Sequence, residues 1–344
     1  MKIIFVKFFD RNPYQRLLAD SLEKQGHEVV LLKSIYRFRF LFSLKADVVH
    51  LHWPPEFSWE LSSMIKLAFF RIWLEVMRVK GTRIVWTVHN LLPHDNRFRR
   101  ANLNLCRSYA SRCDTLICHS ALARKVVLRS YRVNPEKVTV TPHGNFIDVY
   151  PEGVGRVRFR ENRGFSEQDV VVLFFGKIRA YKGLRKFIDS FARSSNTQIR
   201  FVVAGSISSE SLADELKRFA EREQRLSLEV GYVADSDLRD YFEMADFVAL
   251  PYESSLTSGA AVLAMSLGKA CLATRTAGFE SVLDDSGCIF YDSAEVDVLW
   301  KQVFECTTSR DMGRANLEKA KQWDWDSIGA TTAKAYRRKA LEML

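Results

Sequence analysis

The chain has 344 residues, of which 47% are hydrophobic and 27% charged, with 16 glycines and 8 prolines. This composition excludes collagen-like, low-complexity and intrinsically disordered proteins, and the length suffices for two domains with their own cores. The formal net charge is +10, to which residues 1–150 contribute +12 and residues 151–344 contribute −2. The N-terminal half is therefore predicted to meet an anionic partner, which is a membrane surface, a phosphorylated acceptor or a nucleic acid.

The cysteine pattern and the lack of long apolar runs indicate a cytoplasmic protein that is soluble or peripheral to a membrane. None of the six cysteines forms a Cys-x-x-Cys pair, and scattered thiols in a large chain suggest a reducing compartment. The opening segment MKIIFVKFF is interrupted by Lys7, so it predicts a buried strand and not a signal peptide. No apolar run reaches the ~18 residues of a membrane-spanning helix.

Short apolar runs alternate with helical patterns along the whole chain. The first half predicts strands at Ile3–Val6, Val29–Leu32, Val48–Leu51, Ile84–Val88, Thr115–Cys118 and Val138–Val140, and helices at Tyr14–Gln25, Asn102–Ser111 and Leu122–Tyr131. The second half predicts strands at Val170–Phe175, Ile199–Ala204, Leu228–Val230, Phe247–Leu250 and Ala270–Ala273, and helices at Phe187–Arg193, Leu212–Glu223, Leu238–Met244 and Ser258–Ser266. This alternation is typical of parallel sheets covered by helices, built here twice.

The turn-rich segment 150–164 is the predicted linker between the two halves. We therefore expect a domain at 1–152, a second at 153–326, and a last helix at 327–344 that packs back on the first domain. Two Rossmann-like halves would bind ligands at the carboxyl ends of their strands.

A basic loop follows the first strand of the second half. In FFGKIRAYKG, Gly176 permits a tight turn, and Lys177, Arg179 and Lys182 place three cations at the end of a strand. Such a cluster suits a diphosphate leaving group, which accumulates negative charge as its bond to a sugar breaks. A solvated basic loop is the alternative.

A second segment, LPYESSLTSGAAVLAMSLGK, carries Thr257, Ser258 and Gly259 at the start of a predicted helix. Backbone N–H groups and hydroxyls at a helix N-terminus can hold a phosphate, although a plain Ser/Thr cap is an equally good interpretation.

Histidines gather after the strands of the first half. His50, His52, His89 and His94, together with Asp95, follow two buried strands, and His143 follows a later one. None of these pairs has helical spacing, so hydrogen bonding and acid–base chemistry are favoured over a metal site. Asp235-Ser236-Asp237 is likewise interpreted as a helix N-cap and not as a metal site. The chain has no G-x-G-x-x-G after its first strand and no P-loop motif, which argues against a classical NAD enzyme and a P-loop ATPase.

A set of motifs in order along the chain resembles the glycosyltransferases of the GT-B fold. They are NPY at Asn12–Tyr14, HLHWP at His50–Pro54, HNLLPHD at His89–Asp95, FGKIRAYKG at Phe175–Gly183, PYESSLTSG at Pro251–Gly259 and WDWDSIG at Trp323–Gly329. Within that fold the chain is most similar to the inverting GDP-mannose:glycolipid β-mannosyltransferases of xanthan assembly.

The resemblance implies an α/β protein of two Rossmann-like domains that face a central cleft, with a nucleotide-sugar on the second domain and the acceptor on the first. It implies donor-binding residues at Gly176, Lys177, Lys182, Tyr252, Thr257, Ser258, Gly259 and Ala260. It implies acceptor-side residues at His50, His52, His94 and His143, and neither a metal nor another cofactor. Many retaining relatives carry two glutamates where this chain has Ser255 and Leu263. That departure favours the inverting relatives and leaves the ribose contact unassigned.

The function expected from this resemblance is inverting transfer of a sugar, with mannose from GDP-mannose favoured, to a lipid-linked oligosaccharide in exopolysaccharide or cell-surface glycan synthesis. Asp95 is the expected general base, and His89 orients the acceptor or the leaving group, although the two roles could be exchanged. A UDP-sugar donor is the alternative within the class. A basic nucleic-acid-binding protein and a sugar-nucleotide epimerase are alternatives from other classes, and no nucleic-acid motif supports the former.

Three segments of the first half combine basic residues with aromatic or other apolar ones. They are 35–45, the predicted helix 64–80, and the cluster Arg97, Arg99 and Arg100. Such surfaces suit the anionic inner face of a plasma membrane, whereas a helix buried against the sheet is the other interpretation of 64–80.

Overall fold

A computed structural model of the chain describes residues 1–7, 9, 12–36, 45–92, 98–207 and 209–337. The chain divides into two compact units. Unit 1 comprises Met1–Gly144 and Trp323–Leu344, and unit 2 comprises Asn145–Gln322. Each unit is built on its own six-stranded sheet.

The sheet of unit 1 is parallel throughout and has the strand order β2-β1-β3-β4-β5-β6. The order reverses between β1 and β3, so the loops that follow these two strands flank a topological switch point, where open α/β sheets bind ligands. The strands are β1 (Lys2–Val6), β2 (Glu28–Leu32), β3 (Val48–Leu51), β4 (Arg83–Thr87), β5 (Thr115–Cys118) and β6 (Val138–Val140).

The helices of unit 1 are α1 (Pro13–Lys24), α2 (Leu61–Val79), α3 (Arg99–Arg112), α4 (Ala121–Tyr131) and the C-terminal α13 (Trp325–Arg337). The NPY motif starts α1: Pro13 occupies its first turn, and the Asn12 side chain accepts a hydrogen bond from the Tyr14 N–H at 3.1 Å. Both features favour helix initiation, because proline lacks an N–H that the first turn would leave unbonded.

The sheet of unit 2 is also parallel, with the order β12-β11-β10-β7-β8-β9. This is the Rossmann order, with its switch point between β7 and β10. The strands are β7 (Val170–Phe175), β8 (Ile199–Gly205), β9 (Leu226–Val230), β10 (Phe247–Leu250), β11 (Ala270–Thr274) and β12 (Cys288–Tyr291).

The helices of unit 2 are α5 (Arg156–Glu161), α6 (Leu184–Arg193), α7 (Glu210–Arg222), α8 (Asp235–Met244), α9 (Gly259–Ser266), α10 (Ala277–Glu280), α11 (Val296–Glu305) and α12 (Ser309–Lys321). None of the helices in the described part of the chain is long and apolar enough to span a bilayer. The expectation that Asp235-Ser236-Asp237 forms the N-cap of α8 is wrong. Ala234 occupies the N-cap position, and both Asp235 and Asp237 lie in the first turn of the helix.

The domain boundary lies earlier than the expected 152/153. Asn145 already belongs to unit 2 because its Nδ2 donates to the Ala320 carbonyl at 3.0 Å, and the Phe146 N–H donates to Ser266 Oγ at 2.8 Å. The expected linker 150–164 is instead partly helical. Its Arg160 is 3% exposed and donates to Asp246 Oδ2 at 2.7 Å, so this segment is part of the unit 2 fold.

The C-terminal segment rejoins unit 1 at Trp323, four residues before the expected 327. Its helix α13 packs on α1, where Ser21 Oγ donates to the Trp325 carbonyl at 2.6 Å. Gly329 permits this close approach, because a Cβ there would lie 2.1 Å from Ser21 Oγ. Ile328 and Tyr336 complete a core with Phe5, Leu18 and Val85.

Candidate active site

In unit 2, the basic loop and the Thr257 segment meet at one point of the sheet. The loop 176–182 follows β7, and the segment 251–260 follows the neighbouring strand β10. Because parallel strands end at the same edge, both lie at the carboxyl edge of the unit 2 switch point. Gly183 lets the two loops touch: its φ is +65°, and a Cβ there would lie 2.1 Å from the Pro251 carbonyl oxygen.

Lys182 is the most informative side chain at this edge. It is 8% exposed, and its Nζ lies 4.7 Å from the ring centroid of Tyr252 and 5.5 Å from that of Phe174. Burial lowers the pKa of Lys182 to about 8. Among the described residues no carboxylate forms an ion pair with Lys182, so an anion at this edge would find a desolvated cation.

The other predicted donor-binding residues surround this position in different ways. Gly176 has a φ of +107°, which favours glycine, and Lys177 is exposed. Tyr252 is buried between Phe174 and Phe279, where it supplies one aromatic wall for the Lys182 ammonium.

Residues Thr257–Ala260 form the start of α9. Ser258 is its N-cap, and its Oγ accepts from the Ala261 N–H at 3.2 Å, which leaves the Ser258 hydroxyl hydrogen available to another acceptor. Thr257 Oγ1 is buried without a hydrogen-bond partner in the described residues. The N–H groups of Gly259 and Ala260 lie in the first turn, where helices leave donors without intrahelical acceptors. The capping interpretation is therefore confirmed, and phosphate binding at the same helix start stays a prediction.

The missing glutamate pair has no acidic substitute at the same positions. Leu263 is buried in α9, and the Ser255 carbonyl packs against Gly278. The nearby Glu253 carboxylate pairs with Lys186 Nζ at 3.5 Å.

In unit 1, five histidines converge at the carboxyl ends of β3, β4, β5 and β6. Three of them, His50, His52 and His119, are buried, whereas His89 and His143 are partly exposed. The Tyr14 ring lies among them, with its centroid 4.9 Å from that of His89 and 4.8 Å from that of His143. His119 is not among the predicted site residues, although it directly follows β5 as the others follow their strands, and Tyr14 is singled out only as part of the NPY motif.

The side chains of three of these histidines are linked in series by hydrogen bonds that all donate in the same direction. His119 Nδ1 lies 3.0 Å from the Thr141 carbonyl oxygen, which can only accept, so Nδ1 carries the hydrogen. Burial lowers the pKa of His119 to about 4, so the ring is neutral and its Nε2 is an acceptor. That Nε2 lies 3.3 Å from His89 Nδ1, which must therefore be the donor.

The same reasoning continues along the chain. His89 is also neutral, since burial holds its pKa well below the usual value, and its Nε2 accepts from His52 Nδ1 at 3.1 Å. His52 Nε2 is then a bare acceptor, and it is buried without a hydrogen-bond partner in the described residues. Both ring nitrogens of His89 are thus engaged inside unit 1, while its ring face stacks on Trp53 with centroids 4.6 Å apart.

His50 anchors the cluster to the C-terminal helix. Its Nδ1 lies 2.7 Å from the Tyr336 hydroxyl of α13, and its Nε2 lies 2.7 Å from Thr87 Oγ1. Burial lowers the pKa of His50 to about 3, as it does for His143. The cluster is therefore a set of neutral imidazoles that suits hydrogen bonding to hydroxyl groups better than charge stabilisation.

Two of the expected site residues, His94 and Asp95, lie outside the described residues. In the part of the chain that the structure describes, no group of His, Cys, Asp and Glu side chains is arranged to hold a metal ion. The metal-independent mechanism remains a prediction.

Comparison with known proteins places both units in one enzyme class. Residues 169–305 match the family model "Glycosyl transferases group 1", and residues 32–145 match "Glycosyltransferase Family 4". The GDP-mannose:glycolipid 4-beta-D-mannosyltransferase of Xanthomonas campestris pv. campestris is 24% identical over 338 residues, which cover 94% of this chain and 88% of that protein. A D-inositol 3-phosphate glycosyltransferase of Corynebacterium diphtheriae is 21% identical over 347 residues, covering 94% of this chain and 78% of that protein.

Solved structures agree on the fold. Alr3699/HepE of Anabaena, solved in complex with UDP and glucose, superposes with a TM-score of 0.76 at 16% identity and covers 98% of this chain and 99% of its own. WaaG, a glycosyltransferase involved in lipopolysaccharide biosynthesis, superposes with a TM-score of 0.67 at 15% identity over 96% and 98% of the two chains. The two family matches and the two Rossmann-like sheets together show that this chain belongs to the glycosyltransferases of the GT-B fold.

Proposed function

We propose that this glycosyltransferase transfers mannose from GDP-mannose to a lipid-linked oligosaccharide with inversion at the anomeric carbon, in exopolysaccharide or cell-surface glycan synthesis. The observation that carries the donor half is the buried Lys182 at the switch point of unit 2, which has no carboxylate partner among the described residues. The mannosyl donor and glycolipid acceptor are supported by the relative in Xanthomonas campestris, a GDP-mannose:glycolipid 4-beta-D-mannosyltransferase.

The donor diphosphate would lie against Lys182 and Lys177 and the first turn of α9. As the bond between the anomeric carbon and the diphosphate oxygen breaks, its electron pair stays on the diphosphate. Lys182 and the N–H groups of Gly259 and Ala260 would stabilise that charge without a metal ion. Their buried or preorganised setting makes each contact stronger than it would be in water.

The acceptor half is assigned to unit 1. The acceptor hydroxyl oxygen forms the new bond to the anomeric carbon from the face opposite the leaving group, and its proton passes to a general base. Asp95 is the proposed base. The hydrogen bonds of His89 support this choice, because both of its ring nitrogens are already engaged by His52 and His119. His89 would then contribute a neutral, fixed surface that orients the acceptor or the leaving group.

A UDP-sugar is the second candidate donor. It is favoured by the structural neighbour from Anabaena, which was solved with UDP and glucose. A thermal-shift screen of the full chain against GDP, UDP, dTDP and ADP separates the two. Stabilisation by GDP alone supports the first proposal, stabilisation by UDP alone selects the second, and no stabilisation by any of the four contradicts the donor site itself.

We propose that the enzyme acts at the inner face of the plasma membrane as a peripheral protein, without a nucleic acid partner. A lipid-linked acceptor requires contact with a membrane, and the charge of +12 on residues 1–150 suits anionic lipid. Of the three basic segments expected to contribute, Arg37, Arg39 and Arg97 lie outside the described residues, whereas Arg99, Arg100 and helix α2 lie within them.

A further inference from the structure

Helix α2 is apolar on two opposite faces. Phe70, Trp73, Leu74 and Met77 are its buried residues, and they lie in its C-terminal half against the core of unit 1. The expectation of a helix buried against the sheet is therefore correct for this face alone. An ordinary surface helix is polar on the face opposite its buried one.

The opposite face of α2 carries large exposed hydrophobic side chains. Leu61 is 73% exposed, Ile65 60%, Ile72 58% and Val79 89%, and Met64 is exposed as well. These positions are three, four or seven residues apart, so at 100° per residue they form one stripe about 100° wide. Of the 14 large hydrophobic residues exposed in the described chain, six lie at Trp59–Val79.

Two neighbouring segments extend this stripe. Trp59, which is 70% exposed, has its ring centroid 6.3 Å from that of Phe98, and Phe98 immediately precedes Arg99 and Arg100 of α3. At the other side, the Tyr36 ring lies 5.8 Å from that of Phe69 on α2. The described residues of the two other segments, Tyr36 and Arg99 with Arg100, are therefore both close to α2.

The rim of the stripe is positively charged. Arg71, Arg99 and Arg100 are exposed, and none of them forms an ion pair with another described residue. Within α2 the single carboxylate is Glu75, which pairs with Arg78 at 3.1 Å and with Arg112 at 2.6 Å. The exposed carboxylate of Glu60 lies between Trp59 and Leu61, but the three unpaired cations among the described residues outnumber it, so the net charge around the exposed apolar residues is positive.

We propose that this α2 surface, formed by Trp59, Leu61, Met64, Ile65, Ile72 and Val79 with Arg71, Arg99 and Arg100, docks on an anionic lipid bilayer. The apolar stripe enters the boundary between headgroups and acyl chains, and the three cations contact lipid phosphates. Charge selects lipid over a second copy of this chain, because two such basic surfaces repel each other. The inference rests on the proposed function only in that a lipid-linked acceptor requires a membrane.

Flotation of the full chain with vesicles tests the proposal. Wild-type protein should float with vesicles of three parts phosphatidylcholine to one part phosphatidylglycerol at physiological salt, and at least tenfold less with phosphatidylcholine alone. The triple variant Leu61→Gln, Ile65→Gln and Ile72→Gln should bind the anionic vesicles at least tenfold more weakly. Because these three side chains are already exposed, the variant should keep the wild-type melting temperature.

A matched control removes exposed apolar side chains elsewhere. Val157→Gln, Val298→Gln and Phe304→Gln change three exposed residues of unit 2 and should leave vesicle binding unchanged. Neutralising Arg71, Arg99 and Arg100 to Gln should abolish the salt-sensitive part of binding, since the Debye length at physiological salt is ~8 Å.

Three outcomes would overturn the proposal: no binding of wild type to either vesicle, equal binding of wild type and the triple variant, or a concentration-dependent dimer in ultracentrifugation that the triple variant loses. Vesicle binding needs no sugar donor, so it can fail or succeed independently of the proposed function. Protein that docks on vesicles but transfers no sugar would refute the proposed function and leave the α2 surface standing.

Discussion

His52 Nδ1 lies 3.1 Å from His89 Nε2 and donates the hydrogen bond between them. The Thr141 carbonyl sets this direction, because it fixes the hydrogen of His119, which in turn accepts from His89. His119 transmits that direction, because a neutral imidazole that donates from one nitrogen must accept at the other. His52, His89 and His119 are therefore all expected to carry their hydrogen on Nδ1.

This tautomer assignment can be measured directly. Long-range ¹⁵N–¹H correlation spectra of the wild-type protein at pH 7.5 should show a protonated Nδ1 and an unprotonated Nε2 for all three rings. The variant His119→Phe removes the acceptor that fixes the hydrogen of His89 on Nδ1. The ¹⁵N chemical shifts of the His89 ring should therefore change in this variant. A protonated Nε2 on any of the three rings in the wild type would contradict the chain.

Unit 1 should lose stability as the pH falls below neutrality. The histidines of the unit 1 cluster have folded pKa values far below the unfolded value, with His119 at about 4 and His50 and His143 at about 3. Only the unfolded chain binds protons between pH 6.5 and about 4, so the stabilisation is complete above pH 6.5 and decreases through that range. Each such histidine contributes a slope of about 1.4 kcal/mol per pH unit.

Urea unfolding at pH 7.5, 6 and 5 checks this dependence. The variant His119→Phe removes one of the titrating groups, so its free energy of unfolding should fall less steeply with pH than that of the wild type. Equal slopes for the two proteins would show that His119 does not titrate differently in the folded and unfolded states.

Lys182→Met should abolish transfer while leaving the fold intact, because methionine keeps the apolar stem between Phe174 and Tyr252 but removes the cation. We expect at least a hundredfold loss of turnover and of nucleoside diphosphate affinity. Lys186→Met is the matched control, since Lys186 lies four residues further on with a 70% exposed side chain. Wild-type turnover and donor affinity in Lys182→Met would show that the donor site is misplaced.

Donor affinity should also fall at alkaline pH. With a pKa of about 8, the Lys182 ammonium of the free protein loses its proton as the pH rises through that value. Calorimetric titration with the nucleoside diphosphate from pH 7 to 9.5 should show an affinity that declines by up to tenfold per pH unit above about 8. Lys182→Met should bind weakly with no such inflection, and an inflection that persists in it would assign the titration to another group.

Asp95→Asn should reduce kcat by about a thousandfold with little change in donor affinity, since the carboxylate is proposed to take the acceptor proton. The acid limb of the pH profile of kcat/KM should disappear in this variant. His89→Asn should instead retain that limb and lose less activity. If the limb vanishes in His89→Asn and persists in Asp95→Asn, the two roles are exchanged. An α-linked product from an α-linked donor, detected by NMR, would exclude inversion.

Local sequence patterns determined many of the strands of this protein and the placement of the two loops of its predicted donor site. Strand and helix alternation is a property of consecutive residues, so the predictions for β3, β5, β6, β7 and β10 coincide with the observed strands. The placement of the basic loop and of Thr257 after neighbouring strands likewise follows from parallel topology. The short edge strand β12 escaped detection because its four residues CIFY carry little periodicity.

Tertiary packing decided what no local pattern specifies. Asn145 and Arg160 belong to unit 2 because their partners, Ala320 and Asp246, are distant in sequence. Hydrogen bonding selected His119 as the anchor of the histidine chain, since only folding brings the Thr141 carbonyl to its Nδ1. The sequence of α2 predicts an apolar helix, but it does not specify which of the two apolar faces packs on the core. Burial is a property of the whole fold, and that is why the exposed stripe emerged only from the structure.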